Sequence, residues 1–582
     1  MNHEGNATVE QNGKLKVVIL TGGDSTSLRL SISTLASLSE VKILAVLLDS
    51  EPQSLKTRLR NLRRNVRREG FSYIPFRLHE FLKNFLDHLA AGIIPHQEVV
   101  KLLRQSFPEQ AFCLTDLSRQ YGLPILKVGN LNGPVAADTL RHLNADLGIV
   151  MGTRILKRST FSIPRMGCLN VHMGKVPEYR GLPPGFWELY EGQASAGVTI
   201  HFVDDGLDTG EIVGEDCVPI HPRDSVVTLQ SKLGMLASSL LARCVHDLAQ
   251  SRAMRRPQRS THRKPRTSPT RRQQDELDEK LGLSSKLPSR LLYTCKTLLY
   301  SVIYYSGLFH LVRTVRKITV SYRVCVLLYH RVNDLADDAM TAGVQQFAEH
   351  MAVIRKYYSV LPTSVLVQKL KSGEKLPGNS LVIHFDDCYR DVYTHASAIL
   401  AQVEFPACCF VSSGFIGTDK AFPHDLAMCP FQMENLMPND IIGLIKRGFE
   451  IGSHSVTHAD LGHCSHQEAF TEVFQSKKDL DSLLGKPVRW FSYPFGGRKN
   501  IRPEVVELVR QAGYEAMFSA YGGYVTSKSD SFNLHRVGAS GQFRPLDILM
   551  EIEGLSLGSL KRWWKYCCYR DSQIKTHGAG QG

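Results

Sequence analysis

Leu15-Lys-Val-Val-Ile-Leu20, closed by Thr21-Gly22-Gly23-Asp24-Ser25, decides how the first half of this chain is read. The β-branched and apolar run predicts a buried strand, and the polar Gly-Gly loop after it opens a helix. Similar runs recur at residues 41–48, 124–128 and 147–151, separated by amphipathic stretches such as 26–38. Apolar strands alternating with helices predict an open parallel α/β sheet. A lone Gly22-Gly23 is not a dinucleotide fingerprint and is read as a tight turn. From about Arg323 a second alternation begins, with strands expected at 324–329, 380–385, 405–411, 449–452 and 490–493. Helical stretches such as 345–357, 440–447 and 466–484 lie between them. Strand–helix units with polar signatures at strand ends predict a barrel with its site on one face.

At 582 residues the chain is too long for one core, and two to four domains are expected. The 13 cysteines form no C-x-x-C pair and are odd in number, which fits reduced thiols rather than a disulfide framework. Met1–Glu10 has neither a basic start nor an apolar core, so no signal peptide is expected and the substrate is placed on the cytosolic side. The net charge of +14 is uneven: between Ser251 and Gln274 lie nine Lys or Arg, three prolines and no acid. That composition predicts a disordered basic linker, with contact to anionic lipid or nucleic acid as the functional alternative. Leu291–Val312 approaches membrane-spanning length but is interrupted by Lys296, Gly307 and His310 and followed by Arg313, Arg316 and Lys317. A tyrosine-rich helix with a basic end fits core packing or attachment to a membrane surface better than a span. The tail Lys561-Arg-Trp-Trp-Lys-Tyr-Cys-Cys-Tyr-Arg570 reads as an interfacial anchor or a docked terminal helix.

Two sets of residues carry chemistry. In the first, Asn170-Val-His172 ends a strand and projects both polar side chains from one face, two residues apart. Asp208-Thr-Gly210 follows. Acyl transfer to an amine needs a polarising donor, a group beside the developing oxyanion and a carboxylate for the amine proton, and an Asn, a His and an Asp supply these. Singly, each residue is explained as well by a turn or a loop. Together with Val176-Pro-Glu-Tyr-Arg-Gly181 and the text Gly197-Val-Thr-Ile-His201 through Leu207-Asp-Thr-Gly-Glu-Ile-Val213, the half resembles the folate-dependent formyltransferases. The resemblance covers residues 14–222 and implies a Rossmann-like fold, 10-formyltetrahydrofolate as donor, Asn170 and His172 at the oxyanion, and Asp208 in proton transfer. Met173-Gly-Lys175 departs from the family's usual loop. The RNA-binding module of the tRNA branch is replaced by the basic linker, which disfavours nucleic acid.

In the second set, Asp386-Asp387 ends one apolar strand and His454-Ser-Val-Thr-His458 follows another. Histidines at i and i+4 on a helical turn, with a carboxylate, make a metal set with open positions for water and substrate. This half resembles the NodB-type polysaccharide deacetylases through Val326-Leu-Leu-Tyr-His-Arg-Val332, Phe385-Asp-Asp-Cys-Tyr-Arg-Asp391, Phe405–Val411, Gly448–His458 and Phe491-Ser-Tyr-Pro-Phe-Gly-Gly497. The resemblance covers residues 322–550 and implies a distorted (β/α) barrel. Asp386 is then the base, and Asp387, His454 and His458 hold Zn²⁺ or a similar divalent ion. Cys388 stands where glycine is usual, His384 where threonine is usual, and Ser492 where an arginine is common. With that arginine missing, His535 in Asn533-Leu-His-Arg-Val537 is the candidate general acid.

The expected organisation is therefore α/β: a Rossmann-like formyltransferase domain over 1–250, a basic linker over 251–287, an apolar and basic helix over 288–320, a polysaccharide deacetylase-type (β/α) barrel over 321–555, and a tail over 556–582. The expected function is N-deacylation of a nucleotide- or lipid-linked amino sugar and N-formylation of an amine. The alternatives are a formylation and deformylation cycle on a lipid-linked amino sugar, or one active half with the other as a binding module. Secreted wall deacetylation is weakened by the missing signal peptide.

Overall fold

The computed structural model describes residues 13–561, apart from 53, 260, 262, 283–286, 319–322, 336–337, 376–378, 388, 430 and 540. The chain divides into two units, each drawn from two stretches of sequence: Met1–Leu78 with Glu109–Lys286, and His79–Pro108 with Leu287–Gly582. Cys388 and the aromatic tail beyond residue 561 lie outside the described residues.

The first unit is built on a seven-stranded sheet: β1 (Leu15–Thr21), β2 (Val41–Asp49), β3 (Ile125–Gly129), β4 (Leu147–Met151), β5 (Cys168–His172), β6 (Ser195–Phe202) and β7 (Ile212–Pro219), in the order β3-β2-β1-β4-β5-β6-β7. The strands from β3 to β5 run parallel. Val17, Val18, Ile19 and Leu20 of β1 are fully buried, as a strand covered on both faces must be. The expected all-parallel sheet is corrected at one edge, where β6 and β7 are antiparallel. The nine residues between them form a loop without a helix, and a parallel return would need a helical crossover. Helices α1 (Leu55–Glu69), α2 (Tyr73–Ala91), α3 (Val226–Ala249) and α4 (Arg271–Lys280) complete the elements used below. The unit boundary falls within α2.

The basic stretch is not a disordered linker. Arg256 bridges Ile212, Arg266 bridges Gly181, and Arg256 pairs with Glu215 at 2.7 Å. Thr270 caps α4, with Gln273 returning the bond in a capping box, and Leu277 sits in the core of the first unit at 1% exposure. Arg256, Arg266, Arg271 and Arg272 each pair with a carboxylate, and Arg255 lies over the Phe202 ring, so composition alone misled for this part of the stretch.

The second unit curls seven parallel strands into an incompletely closed barrel: β8 (Arg323–Tyr329), β9 (Ser380–Phe385), β10 (Ala407–Val411), β11 (Phe449–Ser453), β12 (Trp490–Ser492), β13 (Ala516–Phe518) and β14 (Val537–Gly538). Their order is β13-β12-β11-β10-β9-β8-β14. A single bridge, Phe518 to Leu534, approaches closure. Val326, Val382, Phe410, Trp490 and Phe518 fill the interior. Parallel strands bring their C-terminal ends to one rim, where the polar signatures emerge. The apolar segment 288–320 forms two helices, α5 (Leu287–Tyr305) and α6 (Leu308–Ile318), broken at Gly307 with φ of 83°. No described helix is long and apolar enough to cross a membrane. Helix α7 (Pro545–Glu553) packs on both. Cys409 is disulfide-bonded, which corrects the expectation of reduced thiols at that position, while nine other described cysteines form no disulfide.

Two candidate active sites

In the first unit the β5–β6 register sets Asn170 opposite His201 and His172 opposite Thr199. Period-two alternation puts all four side chains on one face. Asp208 enters from the loop after β6, at φ of 54°, a left-handed conformation that Asp tolerates. Asn170 Nδ2 donates to Asp208 Oδ1 at 3.1 Å and stands 3.2 Å from His201 Nε2. His172 Nε2 donates to the Tyr179 carbonyl at 2.8 Å, which leaves Nδ1 facing Asp208 Oδ2 at 3.6 Å. Burial pushes the His172 imidazole below its ordinary value, against the nearby Asp208 charge. Burial pushes Asp208 up, but the bond from His201 and the charges of His172 and His201 outweigh it and hold the carboxyl low. The three expected residues therefore converge.

The loop that departs from the formyltransferase pattern has a steric reason. A Cβ on Gly174 would stand 2.5 Å from the Tyr179 carbonyl and 2.7 Å from His172 Nε2, so only glycine lets the loop cross the imidazole. Two contributors escaped the sequence reading. His201 is visible only once the β5–β6 register is known. Gln258, from the basic stretch, donates to the carbonyls of Asp208 at 3.0 Å and Gly210 at 2.8 Å and clamps the Asp208 turn.

In the second unit Asp387 Oδ1 lies 3.4 Å from His454 Nε2 and 3.2 Å from His458 Nε2. One ligand atom from each residue falls within 4.8 Å of the others, and all three residues are buried. The expected helical turn for the His pair is corrected. His454 and His458 sit on a tight non-helical turn after β11, with Ser455 and His458 at positive φ. Glu472 holds this turn by accepting from the backbone N–H of Val456 at 2.8 Å and Thr457 at 2.9 Å and from the Thr457 hydroxyl at 2.6 Å. His454 Nδ1 donates to the Ser492 carbonyl at 2.7 Å, which frees Nε2 as a ligand.

The site fits a divalent cation. Both oxygens of Asp387 are buried, and among the described residues no donor meets hydrogen-bond geometry with either. A buried carboxylate in that state is costly, and a metal ion satisfies it. Burial pushes Asp387 up, but the imidazoles of His458, His424 and His454 hold it well below the carboxylate range. Burial lowers His454, but the charges of Asp386 and Asp387 raise it overall, so the cluster favours positive charge.

Asp386 Oδ2 lies 3.9 Å from His454 Nε2, and its carboxylate enters a fork. Arg536 donates to both of its oxygens at 2.7 Å, and the Ser492 hydroxyl donates at 3.0 Å. Arg536 is fully buried and also donates to the Ser519 carbonyl at 2.8 Å. Burial opposes ionisation of Asp386, but the guanidinium overrides it. The arginine that Ser492 displaces is thus supplied by Arg536. The neighbouring His535 turns elsewhere: its ring packs on Tyr521, and burial and the Arg498 charge push it down. It does not join the metal set. Two other imidazoles lie in the field of the site's carboxylates without joining the set. His330 follows β8 in register with Asp386 and is lowered by burial against the charges of Asp387 and Asp386. His424 Nε2 lies 3.5 Å from Asp387 and 3.0 Å from the Tyr389 hydroxyl. His384 is a buried interior residue bonded to Thr363 at 3.0 Å, and burial holds it neutral.

A formyl transferase family model matches residues 107–245, and a polysaccharide deacetylase model matches residues 373–517. The methionyl-tRNA formyltransferase of Syntrophus aciditrophicus is 36% identical over 139 residues, 24% of this chain and 45% of that protein. The one from Thermosynechococcus vestitus is 38% identical over 148 residues, 25% of this chain and 43% of that protein. The chain spans less than half the length of these two relatives. Among solved structures, the Streptococcus pyogenes deacetylase PplD in complex with acetate is 19% identical, with a TM-score of 0.34, covering 40% of this chain and 98% of that one. Glycinamide ribonucleotide transformylase 1 from Symbiobacterium toebii is 17% identical, with a TM-score of 0.30, covering 44% of this chain and 98% of that one.

Proposed function

We infer, from a chain that joins a formyl transferase domain to a polysaccharide deacetylase domain, that one polypeptide deacylates an amino sugar and N-formylates an amine. The observation that carries the hydrolytic half is the bare Asp387 carboxylate between His454 and His458. These three residues would hold a divalent ion, with zinc favoured by two imidazoles and one carboxylate. When bound, it polarises the acyl oxygen and acidifies a water. Asp386 receives the proton of that water. The Arg536 fork keeps it ionised but weakly basic, so water acidity has to supply the remaining drive. Asp386, now holding that proton and made a strong acid by the Arg536 fork, takes the acid role expected of His535. It protonates the leaving amine as the C–N bond breaks.

In the formyl transfer half, an amine adds to the formyl carbon. Asn170 and His172 stabilise the charge developing on the formyl oxygen, Asp208 accepts the amine proton, and the bond from the formyl carbon to the donor nitrogen then breaks as that nitrogen takes up the proton. The low carboxyl keeps Asp208 ionised. The formyl donor in this reading is 10-formyltetrahydrofolate. The acceptor is an amino sugar, nucleotide- or lipid-linked, and both reactions take place in the cytosol, where reduced folates are found. No nucleic-acid partner is favoured in this reading: two arginines of the basic stretch, Arg256 and Arg266, are engaged with Glu215 and Glu191.

The test incubates the metal-loaded protein with 10-formyltetrahydrofolate and N-acetylated nucleotide sugars, read by mass spectrometry. Loss of acetyl followed by gain of formyl supports exchange. Loss of acetyl with no formyl gain, in a protein that formylates no free amino sugar, refutes it. His535→Gln leaves both limbs of the deacylation pH profile in place, and loss of one limb moves the acid role back to His535.

A further inference from the structure

Helix α5 is amphipathic in the wrong sense for a helix facing water. Its inward face is polar: Thr294, Thr297 and Ser301 are 4%, 0% and 4% exposed. Its outward face carries Leu291, Leu292, Leu298, Leu299 and Val302, between 41% and 59% exposed. The inward threonine is used, since Thr294 bonds His79 at 3.0 Å, and Tyr293 beside it donates to Asp87 on α2 at 2.9 Å. On α2 itself, Phe81 and Phe85 point outward at 73% and 52%. Helix α6 continues the pattern: Leu308 and Leu311 are exposed, while Arg316 is buried against Glu553 at 2.9 Å. Helices α5 and α6 bury threonine, serine and arginine together with Tyr300 and Phe309 and expose leucine and valine, and α2 exposes Phe81 and Phe85, a surface matched to an apolar medium.

The first unit carries a second face with the same requirement. Helix α1 buries no residue. Leu55, Leu59 and Leu62 stand at i, i+4 and i+7 with exposures of 76%, 57% and 40%. Around them lie Lys56 and six arginines from Arg58 to Arg68, against the single acid Glu69. A short isolated helix is marginal in water unless a partner covers its apolar stripe.

We propose that these helices dock on an anionic lipid surface, lying in its interface rather than crossing it. The charge decides among partners. A second copy would set the arginine-rich face of α1 against itself, whereas an anionic bilayer offers hydrocarbon for the leucines and phosphate for the arginines. The inference is independent of the reading of either catalytic site.

The test is flotation of the full, metal-loaded chain with vesicles of phosphatidylcholine alone and of phosphatidylcholine mixed with phosphatidylglycerol. Binding is expected to the anionic vesicles, falling with added salt. The substitutions Arg58→Gln, Arg60→Gln, Arg63→Gln and Arg64→Gln together weaken it by about fivefold per cation removed. Leu298→Ser with Leu299→Ser abolishes the salt-resistant part. These positions are exposed, so the fold should persist, and zinc binding by the variants provides that control. Equal binding to both vesicle types, indifference to the substitutions, or concentration-dependent self-association without flotation would each overturn the proposal.

Discussion

Replacing Arg536 by Met tests the electrostatic centre of the second site most directly. The substitution keeps much of the side-chain volume but removes both 2.7 Å bonds to Asp386, leaving only the Ser492 hydroxyl at 3.0 Å. Breaking a buried ion pair from one side costs roughly 3–5 kcal/mol. Protonation caps that cost. Neutralising a carboxyl of unfolded pKa about 3.9 at pH 7 costs ~4 kcal/mol at ~1.36 per unit, and at pH 5 only ~1.5 kcal/mol. The sign follows from the depressed native value. The Asp386 contribution in the native protein is present above the unfolded carboxyl range and is lost as pH falls through the lower folded value. The variant is therefore expected to be about 4 kcal/mol less stable than the native protein at pH 7 and to approach it by pH 5. Urea unfolding with pulse deuterium labelling of the β9 and β12 peptides, in EDTA so that metal linkage does not enter, isolates the second unit. A deficit that stays constant or grows toward pH 5 refutes the assignment of Arg536 as the counter-charge of Asp386.

Asp387→Ala and His458→Ala should each abolish stoichiometric zinc binding in calorimetry and deacylation with it, while formyl transfer stays at the native rate. Retention of tight zinc by either variant moves the metal site elsewhere. Asp208→Asn and His172→Ala should each slow formyl transfer by about 10²–10⁴-fold with deacylation unchanged, as expected for removal of one proton-transfer or oxyanion group; full-rate transfer by His172→Ala would exclude its role. Leu277→Ala should cost the first unit about 2–5 kcal/mol, because the side chain is buried in that core. A shift below 0.5 kcal/mol, within the range of a surface change, would restore the unstructured reading of the basic stretch.

Periodicity carried the strands, because residues such as Val17–Leu20 and Val324–Leu328 are apolar on both faces in parallel sheets. The motif residues at each site also converge, since chain-adjacent side chains at a strand end have few places to go. What stayed hidden depended on register or on distant packing. Arg536 and His535 are neighbours, and choosing between them needed the direction each takes from the strand. His201 waited on the pairing of β5 with β6, and Glu472 on a helix that packs behind its turn. The segment 79–108 gives no compositional sign that it belongs with the second unit. The basic stretch is different, because its signal was legible. Thr270-Arg-Arg-Gln273 has the spacing of a capping box, which argues for a helix inside a segment whose charge argued for disorder.

The two proposed reactions run in opposite directions on one type of bond, which constrains how they coexist. If the hydrolytic site accepts an acetyl group, its acyl pocket has room for a methyl. A formyl group fits the same space and loses only the methyl contacts, about 1–3 kcal/mol, or 10- to 200-fold in kcat/KM. Exchange of acetyl for formyl therefore works only if the acetyl preference is at least of that size, or the formylated product would be hydrolysed as it forms and the donor consumed without effect. A formylation and deformylation cycle requires the reverse preference, with another reaction acting on the sugar between the two steps. The ratio of kcat/KM for N-acetyl and N-formyl forms of one amino sugar, measured on the His172→Ala protein so that re-formylation cannot intervene, separates the two. A ratio above about 10 in favour of acetyl supports exchange, and a preference for formyl overturns it in favour of the cycle.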